Sequence, residues 1–305
     1  MTTRIAVLIP CYNEEITIEK VVRDFCRVLP DATVYVFDNN STDKTSERAS
    51  AVGAVVVRAP RQGKGNVVQQ MFEEIDADMY LMVDGDDTYP PECAPILLDT
   101  LTTTHADMVV GVRLAQPDSA AFRSFHAFGN RLVALLISRL FGLSVTDAMS
   151  GYRAFSRDFV KTVPIVSEGF EVETELTLQA AAKQFHLVEV PVPYRARPPG
   201  SFSKLNTYRD GVLVLRLLLK IFKDYKPSLC FTILTVVLSV ASVLAGLPAI
   251  IDYYTLRYVL HVPLAILAAA LTILAMLSLS VGLILDTVHR YHNETFKLWR
   301  RELRR

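Results

Sequence analysis

Three carboxylates stand close together in the sequence, directly after a short apolar run. Asp84, Asp86 and Asp87 follow the buried-type residues 79–83. Like charges this close repel one another, and their pKa values rise unless a cation lies between them. Carboxylate oxygens are the ligands that hard divalent ions prefer, and such an ion often bridges nucleotide phosphates. The pattern therefore predicts a Mg²⁺ or Mn²⁺ site at these carboxylates, with a solvated acidic turn as the structural alternative.

A lysine between two glycines adds a candidate phosphate contact. Gly63, Lys64 and Gly65 follow a predicted strand and open a predicted helix. A helix N-terminus carries partial positive charge, and a lysine there suits a diphosphate. The segment lacks the Ser or Thr of a Walker A loop and the third glycine of the dinucleotide fingerprint, so neither of those sites is predicted.

Two further polar motifs follow predicted strands. Residues 10–15 read Pro-Cys-Tyr-Asn-Glu-Glu, and residues 38–43 read Asp-Asn-Asn-Ser-Thr-Asp. Their carboxylate and amide oxygens suit base N–H groups and ribose hydroxyls, although each motif alone is also typical of a helix cap. Ligands of open parallel sheets collect at the carboxyl ends of the strands, which is where all of these motifs fall.

The elements that would position these residues alternate between strand and helix. Short β-branched runs occur at 5–9, 34–37, 54–57, 79–83 and 108–110. The clearest helical pattern covers 14–29, with one apolar face and Asn13 as its N-cap. Such alternation predicts an α/β fold with a mostly parallel sheet.

The zero net charge of the 305-residue chain hides an uneven distribution. Residues 1–194 hold 17 Lys and Arg against 26 Asp and Glu, residues 195–226 hold eight against two, and residues 287–305 hold six against two. Between the basic blocks, 228–251 and 258–285 lack Asp, Glu, Lys and Arg, and the mean hydropathy of the chain is +0.28. Each stretch is long enough to cross a bilayer as a helix, with a pair of buried core helices as the alternative.

The basic blocks orient these spans. The positive-inside rule places the acidic head and the C-terminus together in the cytoplasm, so the protein is predicted to be a multi-pass protein of the inner (cytoplasmic) membrane. Apolar and basic residues interleave at 206–227, which predicts an amphipathic helix at the membrane surface or an ordinary core helix. The predicted division is a catalytic head at 1–205, this helix at 206–227, a hairpin at 228–286 and a basic tail at 287–305.

Cysteine usage and the N-terminus exclude other classes. The first apolar run is too short for a signal peptide, and four separated cysteines predict neither a disulfide framework nor a zinc site. The expected partners are a lipid bilayer and small molecules rather than nucleic acid, and a homo-oligomer is left open.

In this order, the motifs resemble glycosyltransferase family 2 and its GT-A fold. The resemblance is carried by IPCYNEE at 9–15, DNNSTDKT at 38–45, GKG at 63–65 and DGD at 84–86. Segments 111–113, 147–155, 169–173 and 200–205, and Arg123 with Asn130, resemble the dolichyl-phosphate mannose synthase group and its bacterial polyprenyl-phosphate relatives. The resemblance implies a metal-dependent, inverting glycosyltransferase that moves a sugar from a nucleotide-diphosphate sugar to a polyprenyl (undecaprenyl or dolichyl) phosphate.

Individual residues receive roles from this resemblance and from their chemistry. The resemblance makes Asp84 and Asp86 the metal ligands. The nucleotide-sugar set is Pro10, Tyr12, Glu14, Asp38, Lys64 and Asp84. The acceptor-phosphate set is Arg123, Arg195, Arg197, Ser203 and Lys204. The guanidinium groups of its arginines suit forked phosphate contacts, and Ser203 and Lys204 belong to the family-like segment 200–205. The catalytic set is Asp86, Asp87, Arg113 and Arg123, and Glu173 is the acid placed near the acceptor.

Two positions depart from the family pattern. Thr88 stands where relatives often have Gln, which leaves the third metal ligand open among Thr88, Asp87 and water. Asn39 follows Asp38 where a second Asp is common, which predicts altered contacts to the base or ribose.

Two alternatives concern the acceptor and the activity. A lipid phosphate is already a dianionic nucleophile and needs no general base. A glycolipid or polysaccharide hydroxyl would need one, such as Asp87 or Asp147, and the Q-x-x-R-W motif of processive enzymes has no counterpart around the single Trp299. A binding protein without turnover is the third reading.

Overall fold

The computed structural model describes residues 3–114, 122–200, 216, 222–223 and 226–303. It separates into two compact units, Met1–Leu215 and Arg216–Arg305. Most of the predicted amphipathic helix at 206–227 lies outside the described residues, as do Ser203 and Lys204.

Seven strands of the first unit form one sheet. They are β1 (Ile5–Cys11), β2 (Ala32–Asp38), β3 (Val55–Arg58), β4 (Met79–Met82), β5 (Met108–Leu114), β6 (Arg153–Ser156) and β7 (Leu187–Pro193). Their order is β3-β2-β1-β4-β6-β5-β7, and only β6 runs antiparallel to its neighbours. The mostly parallel sheet predicted from the alternating pattern is thereby confirmed, and β1, β2 and β4 end at the same edge.

Helices connect these strands and cover the sheet. They are α1 (Ile18–Val28), α2 (Thr45–Ala51), α3 (Lys64–Glu74), α4 (Ala94–Thr103), α5 (Phe122–Phe141), α6 (Arg157–Thr162) and α7 (Val172–Ala182). On α1, Ile18, Val21, Val22 and Phe25 are buried at helical spacing. Each such side chain stabilises the fold by about 1.5–3 kcal/mol relative to an exposed one.

Two strands, β6 and β7, were not predicted from the sequence pattern. β6 is short and begins with a charged residue, Arg153, which is fully buried. β7 contains Pro191 and Pro193, which lack the N–H that a central strand needs. Because β7 is the last strand of the sheet, its prolines leave no internal ladder unpaired.

The prediction that Asn13 caps the first helix is wrong. α1 begins at Ile18, after Thr17, and Asn13 lies in the left-handed region with φ of 52°. The Asn13 side chain instead accepts a hydrogen bond from the backbone N of Thr42 at 2.8 Å. Asn13 therefore joins the loops that follow β1 and β2 at the edge of the sheet.

The second unit consists mainly of two long apolar helices, α8 (Pro227–Leu256) and α9 (Val262–Leu303). Their most apolar 18-residue windows have mean hydropathies of 2.3 and 2.5, with 11% of each window buried. A core helix of a soluble protein buries most of its apolar side chains, so this exposure favours a lipid environment. The two long apolar helices predicted from the sequence are confirmed, and α9 continues into the predicted basic tail as far as Leu303.

Small and hydroxyl-bearing residues lie where α8 meets α9. Ser242 Oγ donates to the carbonyl of Ala268 at 2.7 Å and lies 2.8 Å from Thr272 Oγ1. A Cβ on Gly282 would lie 2.6 Å from Cβ of Phe231, so only glycine permits this approach of the two helices. Close approach through small residues is the usual packing of helices in lipid.

Candidate active site

The acidic motif lies at the carboxyl end of β4, as the sequence predicts. Asp86 is buried and Asp84 is partly buried. A Cβ on Gly85 would lie 2.7 Å from Cys11 Sγ, and one on Gly151 would lie 2.4 Å from Asp84 Oδ2. Gly85 therefore lets the motif lie against the Cys11 side chain, and Gly151 lets its own backbone approach the Asp84 carboxylate.

Lys64 lies between two carboxylates. Its Nζ is 2.5 Å from Asp84 Oδ1 and also forms an ion pair with Glu173, and its side chain is 11% exposed. Burial alone would lower the pKa of Lys64, but the charges of Asp84 and Glu173 outweigh burial and raise it. Burial raises the pKa of the Glu173 carboxyl, which Lys64 opposes. The lysine therefore stays charged and holds Asp84 in place.

The glycines beside Lys64 allow a close approach of two backbone segments. A Cβ on Gly63 would lie 2.2 Å from the Glu168 carbonyl oxygen, and one on Gly65 would lie 1.9 Å from that of Ser167. The backbone N of Gly65 donates to the Glu168 carbonyl at 3.0 Å. The first turn of α3 thus packs on another backbone segment, and the contact with diphosphate stays a prediction for Lys64.

Glu175 shapes the turn on which these glycines pack. Its carboxylate accepts hydrogen bonds from the backbone N of Val166 at 3.1 Å and of Ser167 at 2.8 Å. Glu173 and Glu175 both lie in the first turn of α7 and are buried. These acids therefore lie at the start of a helix, with Glu171 at its N-cap position.

Asp86 forms an ion pair with Arg197, whose Nη2 lies 2.6 Å from Asp86 Oδ2. Thr88 Oγ1 donates to the other carboxylate oxygen at 2.6 Å, so Thr88 supports Asp86 directly. Burial and the charge of Asp84 raise the pKa of Asp86, and Arg197 opposes this rise. The backbone N of Arg195 donates to the Thr88 carbonyl at 2.8 Å, which joins the segment after β7 to the acidic motif.

Arg113 is engaged by a carboxylate in a forked arrangement. Its Nε and Nη2 donate to the two oxygens of Asp147 at 2.8 and 2.9 Å, and Asn130 Nδ2 donates to the same carboxylate at 2.9 Å. Burial alone would raise the pKa of Asp147, but Arg113 outweighs it and lowers the pKa. The guanidinium also lies over the Tyr194 ring, 5.6 Å from its centre. Arg113 is therefore held rigidly, at 29% exposure of its side chain.

A second arginine supports this region from inside, although nothing in its sequence context predicts that role. Arg153 is fully buried and donates to the carbonyls of Ser150 at 2.7 Å and Ala148 at 2.9 Å and to Thr177 Oγ1 at 2.9 Å. Burial lowers its pKa to about 10. Five guanidinium hydrogens can satisfy several carbonyls at once. Arg153 thereby fixes the loop that carries Asp147.

The residues predicted for the nucleotide lie at the ends of β1 and β2. Pro10 lies within β1, the Tyr12 side chain is exposed, and the backbone N of Glu14 donates to Thr45 Oγ1 at 2.8 Å. Asp38 ends β2, where its carboxylate accepts from Ser46 Oγ at 2.6 Å. The structure brings these residues to the same edge of the sheet as the acidic motif.

Asn39 has a structural role that explains the departure from the family pattern. Its Nδ2 donates to the carbonyls of Ala59 at 2.9 Å and Arg61 at 2.7 Å, and its Oδ1 accepts from the backbone N of Gly63 at 2.8 Å. An aspartate carboxylate has no hydrogen to donate. Asn39 therefore holds the loop before α3 in place. This role becomes visible only once the fold shows which backbone groups the amide contacts.

Other predicted residues lie apart from this cluster or outside the described side chains. Asp87 has φ of 58° and its carboxylate lies 2.6 Å from Lys20 Nζ on α1. Arg195 is exposed, with its Nη2 3.5 Å from a carboxylate oxygen of Glu92. The Arg123 side chain lies outside the described residues, although α5 includes its backbone.

The two acids suit a divalent cation whose remaining ligands come from a substrate and from water. Among the described residues, no group of three or more His, Cys, Asp or Glu is placed to hold a metal. Asp84 and Asp86 are two hard oxygen donors that already face basic side chains. Mg²⁺ and Mn²⁺ are commonly held by one or two carboxylates, with substrate phosphates and water completing the coordination.

Comparisons with known proteins show the family of this chain. The model of glycosyl transferase family 2 matches residues 6–163. The glycosyltransferase AglJ of Haloferax volcanii is 33% identical over 295 residues, which cover 96% of this chain and 96% of that protein. The dolichyl-phosphate hexose transferase of the same organism is 31% identical over 217 residues, which cover 71% of this chain and 93% of that protein.

A solved structure shares the fold. Glucosyl-3-phosphoglycerate synthase from Mycobacterium tuberculosis, in complex with Mn²⁺, uridine diphosphate and glucosyl-3-phosphoglycerate, superposes with a TM-score of 0.59 at 25% identity. The match covers 71% of this chain and 80% of that chain. The predicted GT-A-like sheet is thereby confirmed.

Proposed function

Since this chain belongs to glycosyl transferase family 2 and is a glycosyltransferase, we propose that it moves a hexose from a nucleotide-diphosphate sugar to a polyprenyl phosphate. The observation that carries this proposal is the pair Asp84 and Asp86 at the carboxyl end of β4, where each carboxylate contacts one basic side chain. Such a pair of acids beside two cations suits a diphosphate and its counter-ion.

On the donor side, the edge of the sheet offers both acceptors and a cation. Asp84 and Asp86 would hold Mg²⁺ or Mn²⁺, which when bound neutralises charge on the leaving diphosphate. Lys64 keeps Asp84 in position and contributes positive charge beside it. Asp38, Tyr12 and Pro10 lie where the strands β1 and β2 end, which supports a nucleoside there. The complex of the solved relative with Mn²⁺ and uridine diphosphate supports this assignment.

On the acceptor side, a phosphate monoester of a lipid needs no general base. Its oxygen would attack the anomeric carbon while the bond from that carbon to the diphosphate oxygen breaks, which inverts the configuration. Arg197 lies against the acidic motif and Arg113 is held beside Tyr194, so both can approach an anion near the leaving group. Arg195 extends the basic set, and Arg123, Ser203 and Lys204 belong to it by prediction alone.

An acceptor hydroxyl fits the site less well. It would require a carboxylate base, and Asp147 is bound by both Arg113 and Asn130. Its lowered pKa makes it a weaker base than a free carboxylate. A relative named for hexose transfer to dolichyl phosphate supports the phosphate acceptor.

The two apolar helices would place the reaction at a membrane. The basic blocks at 195–226 and 287–305 favour the cytoplasmic face of the inner membrane for the head and the C-terminus. We expect a C-terminal tag to be digested by protease in inverted vesicles and protected in intact cells stripped of their outer layers. Digestion in the intact cells alone would contradict this orientation.

The activity is tested with the purified full chain in detergent. Labelled hexose donors of several nucleotides, Mn²⁺ and either polyprenyl phosphate or the matching polyprenol are supplied, and lipid products are identified by mass spectrometry. We expect a lipid-phosphate-linked hexose with the phosphate acceptor only, and its loss by at least about a hundredfold in Asp86→Asn. Asp99→Asn, an exposed carboxylate on α4, serves as the matched control. Transfer to polyprenol, or full activity of Asp86→Asn, would overturn the proposal.

A further inference from the structure

A cleft opens beside the carboxyl ends of β2 and β3. Its volume is about 330 Å³, which is within the usual range of small-molecule sites. It is lined by Asp38, Asn40, Ser41, Ser46, Val56 and Arg58. Of these residues, Asp38 belongs to the predicted nucleotide-sugar set.

The carboxylate of Asp38 is oriented from two sides. Oδ1 accepts a hydrogen bond from the backbone N of Ser41 at 3.0 Å, and Oδ2 accepts from Ser46 Oγ at 2.6 Å. A carboxylate offers about four acceptor positions, so each oxygen keeps one for a ligand. Asp38 is therefore a fixed hydrogen-bond acceptor in the wall of the cleft.

Arg58 is the neighbour of Asp38 across the sheet. The two residues are partners in the parallel register of β2 and β3, and their side chains line the same cleft. The carbonyl of Arg58 accepts a hydrogen bond from Gln70, whereas its guanidinium has no hydrogen bond or ion pair to any described residue. The cleft thus presents a fixed acceptor next to a cationic donor that is not engaged by the protein.

We propose that Asp38 and Arg58 together recognise the lactam edge of the donor's nucleobase, which makes Arg58 a specificity-determining residue. A lactam edge places an N–H beside a carbonyl oxygen, as in N3–H and O4 of uracil or N1–H and O6 of guanine. Asp38 accepts from the N–H and Arg58 donates to the carbonyl. This assignment rests on the proposed function, because it requires that the chain bind a nucleotide-sugar.

The same arrangement rejects the other two common bases. Cytosine and adenine present an amino group beside an unprotonated ring nitrogen, which reverses donor and acceptor. The ring nitrogen would then face the Asp38 carboxylate and the amino group would face Arg58. An acceptor then faces an acceptor and a donor faces a donor. A site whose polar groups are left unpaired in this way discriminates strongly against such an analogue. The cleft therefore selects uridine or guanosine diphosphate sugars over those of cytidine and adenosine.

Binding of the four nucleoside diphosphates and of pyrophosphate tests this inference. Calorimetry is performed with the full chain in detergent and Mn²⁺, for the wild type, Arg58→Met and Arg61→Met. Arg61 is also exposed and lies in the following loop outside the cleft, so it is a matched control. We expect the wild type to bind uridine or guanosine diphosphate at least about tenfold more tightly than the cytidine and adenosine compounds. Arg58→Met should lose most of this preference and leave the affinity for pyrophosphate unchanged.

Several results would overturn the inference. An intact preference in Arg58→Met, or an equal loss in Arg61→Met, would show that Arg58 does not read the base. A parallel loss of pyrophosphate affinity in Arg58→Met would place Arg58 at the phosphates. The proposed function can fail separately: a preference that depends on Arg58, without transfer to polyprenyl phosphate, refutes the acceptor and supports the base recognition. Transfer with no dependence of donor choice on Arg58 refutes the base recognition alone.

Discussion

The two units of this chain differ in which side chains they bury. In the sheet unit, apolar side chains fill the interior, and the charges buried near the strand ends are paired, as in Lys64 with Asp84 and Glu173. In the helical unit, apolar side chains face outward and hydroxyl groups such as Ser242 lie between the helices. The cost of an unpaired group explains the difference, because a buried charge without a partner costs far more than a hydroxyl that can bond within its own helix.

This contrast predicts that the stability of the sheet unit depends strongly on paired buried charges. Lys64→Met is the substitution with the largest expected effect. The substitution leaves the carboxylates of Asp84 and Glu173 close together without their shared cation. Breaking a buried pair by removing one partner costs about 3–5 kcal/mol. We expect the free energy of opening of α3 and α7, measured by hydrogen-exchange mass spectrometry, to fall by this amount.

Controls separate the missing charge from lost packing. Lys44→Met removes an exposed lysine at the start of α2 and should have little effect. The double variant Lys64→Met with Glu173→Gln removes one of the opposed carboxylates and should recover more than half of the loss. A single variant as stable as the wild type would show that Lys64 is not needed to compensate these carboxylates.

Asn39→Asp is the second largest perturbation expected in the sheet unit. It removes the two hydrogen bonds that the amide donates to Ala59 and Arg61 and sets a negative charge against their carbonyls. We expect the loop before α3 to lose about 2–3 kcal/mol of protection in hydrogen exchange, with weaker nucleotide binding. Asn66→Asp removes one exposed hydrogen bond to Gln62 and is the control. If both variants lose equal protection, the bridging role of Asn39 is refuted.

The parts of the site that were predictable are those defined by neighbours in sequence. The acidic motif at Asp84 and Asp86, the Gly63–Gly65 glycines and the two apolar helices each have a local pattern, and local patterns reflect strand ends and helix spans. The pairing of Lys64 with Glu173 and of Asp86 with Arg197 was not predictable, because strand order brings these distant segments together. The close packing of the glycines beside Lys64 was not predictable for the same reason, since their neighbour is the backbone of Ser167 and Glu168.

A titration sharpens the comparison further, since a change of pH alters the charge of a partly buried lysine of the sheet unit without mutation. Burial lowers the pKa of Lys183 to about 8 from its model-compound value of 10.5, and Glu175 opposes the shift. Between these two pH values the unfolded chain binds more protons at this position than the folded chain, so stability rises with pH across that window.

The size of this effect is about 1–3 kcal/mol. It is measured as the difference in urea stability between pH 8 and pH 10, in the wild type and in Lys183→Met. Other lysines and tyrosines titrate in both proteins, so only the difference between the two reports on Lys183. Equal pH dependence in the two proteins would refute the lowered pKa.

Ser242→Ala is the matching perturbation of the helical unit and should have the smallest effect. It removes the hydrogen bond to the Ala268 carbonyl and the contact with Thr272 but leaves no charge unpaired. Such hydrogen bonds between membrane helices are worth about 0.6 kcal/mol, because the separated helices also find partners for their hydroxyls. Denaturation in increasing SDS, followed by circular dichroism, measures the change.

Gly282→Leu, which would force Cβ against Phe231, should destabilise the hairpin more than Ser242→Ala. A loss of several kcal/mol in Ser242→Ala would instead place the stability of this unit in its hydrogen bonds rather than in close packing, and the contrast between the two units would fail.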